Sequence, residues 1–325
     1  MFKYAICAIS SAGIAIALGF SATVCAAFPD RPITIIVPYA AGGLTDSVAR
    51  TLAEGITKEL GVSVVIENRT GAGGKIGMDA IRRAPKDGYT LGIAVPGTMV
   101  MLPLIDPNYG MVPLKDFTPI TIAVNTFTVL VVSKQALPSG GLEKFIEMAK
   151  TRPGKLNYGT PGAGTSFHFN SELLGSKLGI EAVHVPYKGE SAALADLAGG
   201  QIDFMLAGEG AKAFVDGGRV RAIAVSSKKR IDGYPNTPTF MESGVDFSTD
   251  GWVGMIGPSD LPPAVLEKLL AALVATVKSA KAQAAFARMG YSPVGNTPAE
   301  FRKQVEESSI RYGDMLTSGK VKLGQ

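Results

Sequence analysis

The chain has 325 residues, 46% of them apolar and 18% charged, too hydrophobic and too lightly charged for a disordered chain and long enough for one large domain or two ordinary ones. Lys and Arg total 32 against 28 Asp and Glu, a formal net charge of +4; with no basic stripe to concentrate it, that charge excludes a dedicated nucleic-acid binder. The 39 glycines, about 12% of the chain against a usual ~7%, follow no collagen-like period, so many turns need permissive backbone or close ligand approach.

Residues 1–27 read as a removable export signal. Lys3 is the only charged side chain before Asp30, a largely apolar stretch runs from Tyr4 to Phe20, and Cys25-Ala26-Ala27 offers small residues for cleavage. An uncleaved anchor is the alternative, but Ser10, Ser11 and Gly13 dilute the stretch, and Val24 stands where a lipoprotein site needs a small residue. The mature chain is expected to begin near Phe28, to be soluble, and to work outside the cytoplasm. Both cysteines, Cys7 and Cys25, fall in the removed segment, which leaves no thiol for a disulfide, a metal or a nucleophile.

From Pro32 apolar β-branched runs alternate with amphipathic helices, the signature of a parallel sheet wrapped by helices. Ile33 to Val37 is a strand buried on both faces. Leu44, Val48, Leu52, Ile56 and Leu60 then mark one face of a helix stopped by Gly61. Strand Val62 to Ile66, helix Lys75 to Arg83 and strand Tyr89 to Ala94 complete a first α/β unit. A second run of the same kind comprises strand Phe127 to Val132, strand Leu156 to Tyr158, helix Ser166 to Leu178, strand Ala182 to Pro186, helix Ser191 to Leu197, strand Ile202 to Leu206 and strand Val220 to Val225. After Pro235 the alternation fades. Pro262-Pro263 opens a helix to about Ser279, and Thr297-Pro298-Ala299-Glu300 is a capping box. These tail helices are expected to pack back on the first lobe, with crossings near Val124 to Thr128 and Thr249 to Val253. The expected fold is therefore α/β and two-lobed: two open α/β domains joined by a two-crossing hinge, with domain 1 discontinuous over 28–126 plus 250–325 and domain 2 over 127–249.

Ligands of open α/β sheets bind beyond the carboxyl ends of the strands, and glycine crowds into those positions here. Tyr39-Ala40-Ala41-Gly42-Gly43-Leu44-Thr45-Asp46 and Tyr158-Gly159-Thr160-Pro161-Gly162-Ala163-Gly164-Thr165-Ser166 each lead from a strand into a helix. Free N–H groups and the positive end of a helix dipole then point at one place, a natural anion site. One such terminus from each lobe suits a ligand with carboxylates at its ends. Val95 to Thr98, Tyr187 to Gly189 and Ala207 to Gly210 end other strands. Nucleotide readings fail: Gly71-Ala72-Gly73-Gly74-Lys75-Ile76 lacks the hydroxyl residue of a P-loop and the third glycine of a dinucleotide fingerprint.

At these residues the sequence resembles the substrate-binding proteins of tripartite tricarboxylate transporters, the Bug family of periplasmic receptors. The likeness runs through nearly the whole mature chain: Phe28-Pro29-Asp30-Arg31-Pro32-Ile33-Thr34-Ile35-Ile36-Val37-Pro38-Tyr39, Gly42-Gly43-Leu44-Thr45-Asp46, Glu67-Asn68-Arg69, Asp87-Gly88-Tyr89-Thr90-Leu91, Val185-Pro186-Tyr187-Lys188-Gly189, Gly199-Gly200-Gln201-Ile202-Asp203 and Pro238-Thr239-Phe240-Met241-Glu242-Ser243-Gly244. The resemblance implies a periplasmic-binding-protein fold of type II that closes on a small carboxylate and delivers it to a membrane permease. It implies a ligand held largely by backbone groups, hydroxyls and waters at helix termini. Ala41 stands where relatives usually have proline, which adds an N–H and removes some rigidity. Leu102, Ala207 and Gly208 replace residues that are often polar in relatives, so ligand identity does not carry over.

The candidate ligand-binding residues are Tyr39, Ala41, Gly42, Gly43, Thr45, Asp46, Gly97, Thr98, Gly162, Gly164, Thr165, Ser166, His168, Tyr187 and Asp203. Several have a structural reading beside the functional one. Asp46 suits the first turn of a helix or a ligand amine; Thr45 and Thr165 suit a helix cap or a ligand oxygen; Tyr39 and Tyr187 suit packing or the cleft. Asp203 reads chiefly as a structural carboxylate, and Arg69 as half of a structural pair. Ser166 and His168 sit two apart on a helix, on different faces, and no Gly-x-Ser-x-Gly elbow exists, so no catalytic residue is assigned. Two histidines without a mature cysteine do not make the usual transition-metal site, and no cofactor or metal is expected. The expected function is a monomeric periplasmic receptor for a small carboxylate, partnered by permease subunits. A secreted hydrolase or transferase using the same cleft, or a sensor for a signalling partner, are the alternatives.

Overall fold

The computed structural model describes residues 28–317 apart from positions 228, 232 and 250; the expected signal segment 1–27 lies outside the described residues. The chain builds β1 (Ile33–Val37), α1 (Leu44–Leu60), β2 (Val64–Asn68), α2 (Lys75–Arg82), β3 (Thr90–Ala94), α3 (Leu102–Ile105), α4 (Pro113–Asp116) and β4 (Phe117–Thr126). It continues with β5 (Val129–Ser133), α5 (Leu142–Lys150), β6 (Leu156–Thr160), α6 (Ser166–Leu178), β7 (Ala182–Pro186), α7 (Glu190–Ala198), β8 (Phe204–Ala207), α8 (Ala211–Asp216) and β9 (Val220–Val225). Last come β10 (Gly251–Pro258), α9 (Pro263–Lys278), α10 (Ala280–Arg288), β11 (Ser292–Pro293) and α11 (Pro298–Thr317).

Two sheets organise these elements. One has strand order β11-β4-β10-β3-β1-β2, the other β7-β6-β8-β5-β9. Each forms the core of a lobe with helices packed on it. The expectation of purely parallel sheets is corrected: β1 pairs in parallel with β2 and β3, but β10 runs antiparallel to both β3 and β4, and β5 runs antiparallel to β8 and β9. The reason is the chain's route, since a strand that enters a sheet from the other lobe arrives from the opposite direction.

β4 and β10 are strands that the sequence pattern does not announce. Pro119 interrupts one, and Gly251, Gly254 and Gly257 dilute the other. Tertiary packing explains the glycines. A Cβ at Gly254 would lie 2.5 Å from the Phe301 ring, and one at Gly257 would lie 2.6 Å from Leu261 Cδ1. The fully buried Trp252 stacks edge-on against Phe301, ring centroids 4.9 Å apart, which docks α11 on this sheet. The capping box is formed as read: the Thr297 N–H donates to Glu300 Oε2 at 2.8 Å and the Glu300 N–H donates to Thr297 Oγ1 at 3.2 Å.

The chain leaves the six-stranded sheet at Thr126 and returns at Gly251, and these two residues are register partners. Three hydroxyls tie the crossings beside them. The N–H of Thr128 donates to Ser226 Oγ at 2.8 Å, and Ser226 Oγ lies 2.6 Å from Thr249 Oγ1. All three residues are buried, so the knot satisfies polar groups that water does not reach.

Candidate functional site

The ends of β1 and β3 and the start of α1 form one wall of the cleft. Gly43 caps α1 without any side-chain bond, so the first-turn N–H groups rely on outside acceptors. Ala41, Gly42 and Gly43 are exposed. Gly42 adopts φ +77°, in the left-handed region where a side chain is disfavoured. Behind this loop Asp46 is 2% exposed and accepts from the Gly42 N–H at 2.8 Å, Arg50 Nε at 2.8 Å and Asn68 Nδ2 at 3.0 Å. Burial works against its ionisation, but the bonds from Arg50, Gly42 and Asn68 prevail and hold the carboxyl below the usual range. Asp46 is thus a strut that shapes the loop.

Thr45 is buried and supplies no cap. The Tyr39 hydroxyl donates to the Gly73 carbonyl at 3.4 Å, and a Cβ built at Gly74 or Gly97 would lie 3.2 or 3.6 Å from it. Thr98 is fully buried, with its hydroxyl donating to the Val95 carbonyl at 3.1 Å. Tyr39, Gly97 and Thr98 therefore line one seam, and Thr98 keeps its side chain for its own turn.

The opposite wall is the loop from β6 into α6. Of the two readings of Thr165, the structure forms the helix cap: its Oγ1 accepts the His168 N–H at 3.3 Å and donates to the Gly162 carbonyl at 2.8 Å. The Gly164 N–H donates to His168 Nδ1 at 3.2 Å. His168 stacks on His184, centroids 3.9 Å apart at 11°, and His184 Nε2 lies 2.7 Å from Thr160 Oγ1. Burial pushes both imidazoles down, His184 to about 4, so the stacked pair is neutral at pH 7. His168 braces the loop from behind. The N–H groups of Ser166 and Phe167 remain at the open end of α6.

Two other candidates have their polar ends engaged elsewhere. The Tyr187 hydroxyl donates to Asp196 at 2.8 Å. Asp203 precedes β8 and accepts the Asn157 N–H at 2.7 Å, at the end of the sheet opposite to the loops that follow β6 and β8. Of the remaining candidates, Gly97 and Ser166 come together across the lobes, and Gly164 meets Ile105. A Cβ at Gly97 would lie 3.9 Å from the Ser166 nitrogen, and one at Gly164 would lie 3.6 Å from Ile105 Cδ1. Among the described residues no group of three or more metal-ligating side chains is assembled.

The structure also places residues at this edge that the sequence pattern does not single out. Glu190 opens α7, and Glu209 lies in the turn between β8 and α8. A glutamate in the first turn of a helix reads as a partner of the dipole, and only the fold brings the two acids to the same edge. Tyr291, from the turn after α10, meets them from a segment about eighty residues further on.

A two-lobed α/β chain with two crossings, whose strand ends lead into helix N-termini, belongs to the class of periplasmic-binding-protein folds. Comparison with solved structures agrees. A structure described as a periplasmic transporter is 37% identical, with a TM-score of 0.85 over 92% of this chain and 100% of its own. Rpa4515 of R. palustris, solved with adipate, is 30% identical, with a TM-score of 0.84 over 90% of this chain and 99% of its own. MatC of Rhodopseudomonas palustris, solved with bound malate, is 30% identical, with a TM-score of 0.80 over 88% of this chain and 99% of its own. Residues 48–320 match the family described as "Tripartite tricarboxylate transporter family receptor". The chain belongs to that family of periplasmic solute-binding receptors, whose members bind rather than catalyse.

Proposed function

We propose that this receptor captures a small carboxylate between its lobes and presents it to the membrane subunits of a tripartite permease. The observation that carries the reading is the placement of the α6 N-terminus against the first lobe, with Gly97 close to Ser166 and to the Tyr39 hydroxyl that precedes the α1 loop. Backbone N–H groups at such termini hold an anion without a basic surface. That fits the small net charge, and the adipate and malate held by relatives support it. In this reading residues 28–126 plus 250–325 move as one body and 127–249 as the other, in a monomer exported after cleavage near Ala27. Contacts from both bodies then favour the closed form.

A thermal-shift panel of mono-, di- and tricarboxylates against the mature chain tests this. A ligand at a hundred times its dissociation constant adds about 2.7 kcal/mol, seen as a rise of roughly several degrees in a protein of this size. Stabilisation by a neutral sugar with no response to any carboxylate would overturn the reading.

A further inference from the structure

Beyond the anion-holding termini the cleft edge contains a second set of polar groups, and their chemistry is the reverse. Glu190 and Glu209 take part in no ion pair among the described residues. The Gly208 N–H donates to Glu190 Oε1, and a Cβ built at Gly208 or Gly210 would lie 3.3 Å from one or other carboxylate oxygen, so this carboxyl is set down against the turn. Glu209 Oε2 is buried and unpartnered. The Tyr234 hydroxyl in the same cluster, on a residue 4% exposed, is also buried without a hydrogen-bond partner, and the Tyr291 hydroxyl, on a residue 3% exposed, is turned to Glu209. Tyr291 faces Glu209, with Glu190 and Tyr234 near it.

A basic group beside the cluster is engaged elsewhere. Lys212 is held by Asp216, and its ammonium lies 5.9 Å from the centre of the Tyr234 ring. A cluster assembled only for stability would satisfy its own polar atoms, because each one buried without a partner is costly. This one leaves the Tyr234 hydroxyl without a partner, and Glu209 has no donor beyond Tyr291, at the carboxyl ends of β7 and β8. Phe167, in the first turn of α6, touches the same place: its Cζ would lie 3.5 Å from a Cβ at Gly208. The anion-holding terminus and the acidic cluster are therefore neighbours.

We propose that Glu190 and Glu209, with the Tyr234 and Tyr291 hydroxyls, form a subsite for a cationic amino group, so that the preferred ligand is a carboxylate that also carries an ammonium. This rests on the carboxylate reading above and narrows it. An ammonium supplies three donors to carboxylate and hydroxyl oxygens, and its charge offsets two neighbouring carboxylates. Burial, and then the neighbouring Glu209 charge, raise Glu190 to about 7 despite the Gly208 bond, and burial raises Glu209 as well. The cluster thus resists carrying two negative charges, and a cation relieves that resistance. Tyr291 comes from the first lobe, so the subsite is complete only when the lobes are together.

The test is calorimetric titration of the mature chain at pH 7.5 with matched acids: glutarate against 4-aminobutyrate, adipate against 5-aminopentanoate, and succinate against aspartate. In at least one pair the amino-bearing member is expected to bind about tenfold tighter or better. Glu190→Gln and Glu209→Gln, each checked by its melt, should each shrink that preference to about twofold or less. Tyr291→Phe, which keeps the packing, should reduce it in part. If the amine-free member binds as well in every pair, or if the preference survives both glutamine variants, the subsite is overturned while the carboxylate receptor stands. Equal weakening of both members in the variants also overturns it, because it marks a lobe-closing latch. If 1,4-diaminobutane binds and no carboxylate does, the carboxylate reading fails and the acidic site remains. If nothing in either series binds, both fail.

Discussion

The two walls of the cleft use their polar side chains differently. In the first lobe, Asp46, Asn68 and Thr98 spend their hydrogen bonds on the loop itself, and what faces the cleft is backbone. In the second lobe the α6 loop is braced the same way by Thr165 and His168, but the adjoining turns carry Glu190 and Glu209, neither of them in an ion pair among the described residues. On the proposed function, one wall would hold a carboxylate of any parent molecule, because backbone N–H groups read charge and shape. The other has side chains able to choose among parents, since an unmet buried acceptor penalises a ligand that brings no donor.

Four changes probe that contrast. The largest effect is expected for Asp46→Ala, which removes one buried acceptor from three donors at once and should cost about 3 kcal/mol of stability in urea unfolding. Lost affinity with unchanged stability would instead place Asp46 against the ligand. Gly164→Val comes next. With φ at +73° the β-branched residue is strained, and the displaced α6 terminus should lose about a hundredfold in carboxylate affinity by calorimetry.

The third is pH dependence. The folded pKa of Glu190 is raised to about 7 from an ordinary 4.5, so its contribution to stability is fully present below the ordinary value and is lost as pH climbs through about 7. With Glu209, Tyr234 and Tyr291 facing it, the unliganded protein should be on the order of 1–2 kcal/mol less stable at pH 8 than at pH 5 through this group. Glu190→Gln should flatten that slope in melts taken across the range. The smallest effect is Thr165→Ala, about 1 kcal/mol for a lost helix cap, measured by thermal unfolding.

Where local chemistry decides the structure, the sequence is a sufficient guide. α6 runs from Ser166 to Leu178 as read, because Thr165 caps one end and Gly179 ends the other in a left-handed turn. β1, β7 and β9 match their apolar runs. β4 and β10 escaped notice because their Pro and Gly residues weaken local strand propensity, and partners far along the chain restore it. The same division holds at the site. The glycine loops and the Thr165 cap are local features. The Asp46 network needs Asn68 from the next strand, and the acidic cluster needs Tyr291 from the returning chain, so no spacing along the sequence reveals them.

The register pairing of Thr126 with Gly251 has a mechanical consequence. A Cβ at Gly251 would lie 2.2 Å from Thr126 Oγ1, so the two connections run side by side at closest approach. Cords that leave one body at neighbouring points permit rotation about a single line and little sliding. The closure proposed above would on that geometry follow one coordinate, and the disorder removed on closing would be correspondingly small. A molecule of only a few heavy atoms, with little contact energy to contribute, is then sufficient to set the angle between the two halves.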